Sequence, residues 1–186
     1  MAEKKIAGGN ELLNPAHILK NELEILPKTL VGDLGCGSMG FFTLQAAKLV
    51  GDQGKVYAVD ILKDVLSAVE GRARQEGLYN IRTVWSNLET VGATNIKEGI
   101  LDYTLYVNTL FQSKKNKEML EEAYRLLKEG GKLLVVDWKT ATGPIGPTPD
   151  TKISSDQVNQ KAISLGFRLE KEFDAGENHY GLILVK

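Results

Sequence analysis

Short apolar runs and amphipathic stretches alternate along most of the chain. Thr29-Leu30-Val31 leads into a glycine-rich turn, and FFTLQAAKLV after it has the apolar spacing of a helix that stops at Gly51. KVYAVD (Lys55–Asp60) is rich in small and β-branched residues and predicts a strand. Lys63 to about Gln75 predicts a helix, with Asp64 near its start and Gly77 just past its end. IRTVWS and the more apolar LDYTLYVN (Leu101–Asn108) read as strands. Asn116 to Lys128 reads as a helix with Leu120, Ala123, Tyr124 and Leu127 on one face, closed by Gly130-Gly131, and KLLVVDW (Lys132–Trp138) as a buried strand.

The ends behave differently. Asn14-Pro15 has the form of a helix cap followed by proline at the first helical position, opening AHILKNELEIL, which should stop before Pro27. After a proline-rich loop (Thr140–Pro149) come a helix from about Ser155 to Leu165 and two strands, FRLEKEF and YGLILVK, joined by DAGENH. Strands buried on both faces and alternating with helices imply a doubly wound, mostly parallel α/β sheet of seven strands, carrying a C-terminal antiparallel hairpin. We expect a single domain over 1–186, with 1–28 as an N-terminal helical lid region and 29–186 as the core.

Composition narrows the function. The chain has 186 residues, 42% hydrophobic and 25% charged, which fits one folded domain. Its 23 basic and 24 acidic side chains nearly cancel, a poor footprint for nucleic-acid binding. One cysteine excludes an intrachain disulfide and a cysteine-rich metal site, so no metal is expected. MAEKKIAGGN has no apolar signal core, and no apolar run approaches the ~20 residues of a membrane span, so a cytoplasmic protein is expected. The 19 glycines against 5 prolines are the unusual feature.

Gly35, Gly37 and Gly40 form G-x-G-x-x-G between a strand and a helix, and Asp60 ends the next strand twenty residues beyond Gly40. A carboxylate there can accept both hydroxyls of a ribose. The pattern fits a NAD(P) site as well as another adenosine cofactor. Asp33, two residues before the first glycine, would repel phosphates and suit a ligand carrying an ammonium and a sulfonium.

The run VGDLGCGSMGFFTLQAAKLVGDQGKVYAVDI, with DYTLYVNTLFQ and AYRLLKEGGKLLVVDW, resembles class I S-adenosylmethionine-dependent methyltransferases. It is most similar to the small UbiE-like or arsenite-methyltransferase-like branch of unknown substrate. The resemblance covers about Asn14 to Lys186 and implies a Rossmann-like fold, S-adenosyl-L-methionine as cofactor and S-adenosyl-L-homocysteine as product. It implies that Asp33, Gly35, Cys36 and Gly37 surround the methionine half, that Asp60 holds the ribose, and that Ile61 lies against the adenine. It also places Asn87 where the adenine amino group is accepted, and Asn108 toward the methyl group. Met39 stands as an insertion before the third glycine of the family's loop, which leaves Gly40 without an assigned contact.

Methyl transfer from a sulfonium demands positioning and exclusion of water more than acid–base chemistry. Residues at the strand tips are the candidates for contact with the acceptor: Asn108 and Gln112 first, then Asp137, Trp138 and Lys139. Trp138 also reads as edge packing, Lys139 as solvated, Tyr106 as core, His17 as a surface residue and His179 as a turn residue. Lys114-Lys115-Asn116-Lys117 with Glu118, Glu121 and Glu122 reads as a solvated face. One thiol is too few for arsenic chemistry. The expected activity is transfer of a methyl group by in-line displacement to a small-molecule acceptor, by a monomer or homodimer, with Gly143–Pro149 as a candidate lid. A NAD(P)-binding oxidoreductase and a non-catalytic S-adenosylmethionine-binding protein are the alternatives.

Overall fold

The computed structural model describes residues 12–140 and 145–186. The N-terminal segment MAEKKIAGGN and part of the Gly143–Pro149 loop lie outside them. The strands are β1 (Leu30–Leu34), β2 (Lys55–Asp60), β3 (Ile81–Trp85), β4 (Leu101–Val107), β5 (Leu127–Trp138), β6 (Arg168–Gly176) and β7 (His179–Val185). They form one sheet in the order β3-β2-β1-β4-β5-β7-β6. β1 to β5 pair in parallel, and β7 runs antiparallel between β5 and β6. The chain moves outward from β1 to β3, then returns to β4 on the other side of β1. The crevice at the carboxyl ends of β1 and β4 is therefore the place where such sheets bind ligands.

The central strands bury both faces, and their side chains divide between two cores with a period of two. Leu133 and Val135 of β5, Tyr106 of β4, and Leu182 and Leu184 of β7 join one core. It includes residues of α4 (Asn116–Leu126) and α5 (Ser155–Ser164). Leu134 and Val136, Leu105 and Val107, and Ile183 join the other, with residues of α2 (Phe41–Val50). Leu66 and Val69 of α3 (Lys63–Gln75) pack with Cys36 and Ala58. Ser154 starts α5 with a reciprocal capping box to Gln157.

Four local readings change. The first helix is only α1 (Pro15–His17), followed by a π-helical turn at Ile18–Glu22. Ile18, Leu19, Leu23 and Ile25 lie in one core, and Leu23 N–H bonds to Ile18 O, five residues back. α4 ends at Leu126, two residues early, because Leu127 already pairs with Leu101. β6 runs on to Gly176, three residues further than expected, and β7 begins one residue earlier, so His179 is the first residue of β7 and not a turn residue. Its ring is buried, with its centroid 4.2 Å from that of Trp138. Lys139 is not simply solvated, since its Nζ bonds to both Asp174 carboxylate oxygens at 3.1 Å and to Gly176 O at 3.0 Å.

Glu122 departs furthest from expectation. It is fully buried, not part of a solvated face. Its carboxylate accepts from Gly92 N at 2.7 Å, Thr94 N at 3.1 Å, and Arg125 Nε and Nη2 at 2.8 Å each. This ties α4 to the loop that follows β3. No helix among the described residues is long and apolar enough to cross a membrane.

Candidate cofactor site

A cavity of about 440 Å³ opens at the carboxyl ends of β1 to β4, a volume typical of small-molecule sites. Gly35 and Gly37 come from the loop after β1, Asp60 to Leu62 from the tip of β2, and Val65 from α3. Ser86 to Glu89 follow β3, Thr109, Gln112 and Ser113 follow β4, and Met119 belongs to α4.

The glycine loop needs its glycines. Gly35 has φ +84°, and a Cβ there would lie 2.5 Å from Thr109 Cγ2. Gly37 has φ +64°, and a Cβ there would meet no atom within 4 Å. Its backbone thus faces open space, as a cradle for a ligand requires. The Gly35 and Cys36 N–H groups both bond to Val59 O, at 2.8 and 3.1 Å. Gly37 N–H donates to Asp60 Oδ2 at 3.3 Å, and Leu62 N–H donates to Oδ1 at 3.0 Å. Asp60 is therefore fixed by two backbone donors, and each of its oxygens keeps acceptor capacity toward the cavity.

Met39 and Gly40 form the turn after Gly37, closed by Gly40 N–H bonding to Gly37 O. Neither residue is part of the cavity wall. Met39 lies at the surface, where its sulfur accepts from Arg72 Nη2 at 3.0 Å. Met39 stands in a turn ahead of α2, with Gly40 in the left-handed region.

Apolar wall is supplied by Ile61, Leu62 and Val65 on one element pair and by Leu88 and Met119 on another. Trp85 Nε1–H donates to Ile61 O at 2.8 Å and steadies the β2 tip. Asn87 lines the cavity, but its Oδ1 accepts Glu89 N–H at 3.0 Å, so a local turn uses part of that carbonyl. Glu89 Oε1 accepts from Ser113 Oγ at 2.6 Å, joining the loops after β3 and β4. Ser86, Glu89, Thr109 and Ser113 escaped the sequence reading. Their position directly after β3 or β4 was the signal that could have found them.

Several expected residues stand outside the cavity wall. Asp33 is buried, accepts Thr43 Oγ–H at 2.5 Å, and has its pKa pushed up to about 6 by desolvation, with Asp60 adding repulsion. Cys36 is buried, and desolvation raises its thiol pKa far above the ordinary value. Asn108 is buried at the end of β4 with φ +52°. Gln112 does line the cavity, and its Nε2–H donates to Asn108 O at 2.7 Å. Asp137 is buried at the end of β5, where desolvation raises its carboxyl to about 7 against the opposing Trp138, Phe111 and Leu110 N–H groups. His17 is on the surface, paired with Glu22 at 3.2 Å, and Tyr106 is core, its hydroxyl donating to Met119 O at 2.8 Å.

Residues 26–177 match the family model described as a methyltransferase domain. Over 122 residues the chain is 31% identical to a ubiquinone/menaquinone biosynthesis C-methyltransferase UbiE of Hydrogenovibrio crunogenus, covering 65% of this chain and 46% of that protein. It is 29% identical over 112 residues to a demethylmenaquinone methyltransferase of a Geobacillus species, covering 59% and 45%. The chain thus spans about half the length of the curated relatives it matches. Among solved structures, a SAM-dependent methyltransferase from Aquifex aeolicus superposes with a TM-score of 0.86 at 25% identity, over 96% of this chain and 93% of that one. The chain belongs to the methyltransferase-domain family.

Proposed function

We propose that this methyltransferase-domain chain binds S-adenosyl-L-methionine in the cavity at the β1–β4 tips and methylates a small-molecule acceptor. The reading rests on one arrangement above all: the Asp60 carboxylate, held by Gly37 and Leu62 N–H groups beside an open glycine backbone. When bound, the cofactor supplies a methyl group on a sulfonium, which leaves as a neutral thioether. Asp60 accepts the two ribose hydroxyls, each such charge-assisted bond contributing about 1.5–3 kcal/mol. Ile61, Leu62, Val65, Leu88 and Met119 give the adenine an apolar seat, and the free capacity of the Asn87 side chain meets its amino edge. Gly35 and Gly37 let the backbone approach the methionine half, with Asn108 and the buried Asp33 and Cys36 behind that wall. Gln112 stands toward the acceptor side.

The loop's hydrogen bonding also weighs against a pyrophosphate ligand. The Gly35, Cys36 and Gly37 N–H groups that would cradle phosphates already bond to Val59 O and Asp60. The curated relatives are named for methylation in quinone biosynthesis. Together with the near-neutral charge, this supports a small, planar and largely apolar acceptor. The test is transfer of labelled methyl from S-adenosylmethionine to a panel of quinols, phenols and small amines. Label in an acceptor with matching S-adenosylhomocysteine is expected. Tight cofactor binding with no transfer to any acceptor would instead make this a non-catalytic binding protein.

A further inference from the structure

The Asp137 carboxylate is buried, lies at the end of β5, and is not among the residues that line the cavity at the β1–β4 tips. It is nonetheless connected to the cavity through backbone. Its Oδ2 accepts Phe111 N–H at 3.2 Å, and its Oδ1 accepts Trp138 N–H at 2.8 Å. Phe111 is the centre of the short 3₁₀ turn Leu110–Gln112, which follows β4. That turn is closed by Gln112 N–H to Thr109 O and Ser113 N–H to Leu110 O, both about as long as ordinary turn bonds at 3.1 and 3.2 Å.

The turn has two other anchors. Asn108, at its entry, holds φ +52°, a conformation that a non-glycine residue keeps only when its surroundings enforce it. Asn108 N–H bonds to Val136 O, next to Asp137 on β5. On the far side, the Thr109 side chain fills the space above Gly35, so the turn also packs on the glycine loop. Three residues of this segment, Thr109, Gln112 and Ser113, reach the cavity wall.

We propose that Asp137 is a positioning residue for the cofactor cavity, fixing from β5 the turn that presents Thr109, Gln112 and Ser113. This deepens the reading of that cavity as an S-adenosylmethionine site and rests on it. Removing the carboxylate frees Phe111 N–H from its partner and loosens the turn. The cavity then has to be rebuilt at each binding event, which lowers cofactor affinity.

The test compares Asp137→Ala, Asp137→Asn and Tyr180→Phe by calorimetry with S-adenosylhomocysteine, with thermal melting of each. Tyr180 neighbours Asp137 across the strand pair β5–β7, and its hydroxyl donates to Ile153 O at 3.0 Å, a residue outside the turn. It controls for loss of a buried hydrogen bond without loss of the anchor. Asp137→Ala is expected to weaken binding about tenfold or more, as loss of a buried hydrogen bond implies. Asp137→Asn, which keeps one acceptor oxygen, should recover part of the affinity, and Tyr180→Phe should bind within about twofold of the parent. The Phe111 amide resonance should move in both Asp137 variants and stay in place in the control. Where Asp137→Ala yields no folded protein, the Asn variant decides alone: unchanged affinity with an unmoved Phe111 amide overturns the proposal. Equal affinity losses in Asp137→Ala and Tyr180→Phe also overturn it. Failure of the parent itself to bind S-adenosylhomocysteine contradicts the cofactor reading instead.

Discussion

Replacing Glu122 by Gln should destabilise the fold by about 3 kcal/mol, although sequence pattern places this residue on a solvated helix face. The carboxylate is fully buried and accepts four hydrogen bonds, two of them from Arg125. Glutamine keeps one carbonyl acceptor and turns the other oxygen into an NH₂ that faces donors. About half of the bonds are lost, each with a net worth of about 1.5–3 kcal/mol when charge-assisted. Removing one member of a buried pair costs about 3–5 kcal/mol. The Arg125 side chain is one-fifth exposed and recovers some hydration, so the lower end applies. A domain of this size shifts by about 2–4 °C per kcal/mol, giving a fall of about 6–12 °C in Tm. Burial pushes the Glu122 carboxyl up, but Arg125, Gly92 and Thr94 together hold it below the ordinary 4.5. Its stabilisation is therefore complete above pH 4.5 and lost as pH falls through the lower folded value, so parent and variant should converge in acid. Urea unfolding at pH 7.5 and pH 4 measures both effects. A difference below about 0.5 kcal/mol at pH 7.5, the range of ordinary surface substitutions, would refute the reasoning.

Gly35→Ala forces a Cβ to within 2.5 Å of Thr109 at φ +84°, so both stability and S-adenosylhomocysteine affinity should fall, the latter measured by calorimetry. Gly37→Ala meets no protein atom, so its stability loss should stay near the roughly 1–2 kcal/mol of a left-handed alanine, while affinity suffers more. Asp33, raised by burial to about 6, stabilises the cofactor-free fold fully below pH 3.8 and progressively less as pH rises toward 6. Asp33→Asn should therefore gain on the parent by up to about 3 kcal/mol between those pH values, and a gap that does not change with pH counts against it. Cys36, buried with its thiol pKa raised, should resist iodoacetamide in the native protein and react only on unfolding, as mass spectrometry will show.

Readable in the sequence were those features whose cause is local. β2, α2 and α3 match their expected bounds because glycines at their ends and apolar periodicity within them act over a few residues. The glycine loop and Asp60 were legible because the strand–turn–helix unit fixes their distance along the chain. The residues misread all depend on partners far away in sequence. Glu122 finds Gly92 and Thr94 some thirty residues earlier, and Lys139 finds Asp174 thirty-five residues later. The spacing Glu118, Glu121, Glu122 carries no sign of such a partner. The π turn was not legible, because Ile18 and Ile25, seven residues apart, and Leu19 and Leu23, four apart, satisfy an ordinary α-helix equally well. Asp33 and Asp137 were placed at the strand tips, but spacing along a chain does not say whether a tip residue turns to the cavity or into the interior.

The central claim is that the cavity holds S-adenosylmethionine through Asp60. Titration calorimetry of the parent and of Asp60→Ala with S-adenosylhomocysteine, alongside fluorescence titration with NADH, tests it most directly. The account predicts saturable 1:1 binding of S-adenosylhomocysteine by the parent, at least about tenfold weaker in Asp60→Ala, and no saturable binding of NADH. No binding of S-adenosylhomocysteine by the parent, with saturable binding of NADH, would contradict it.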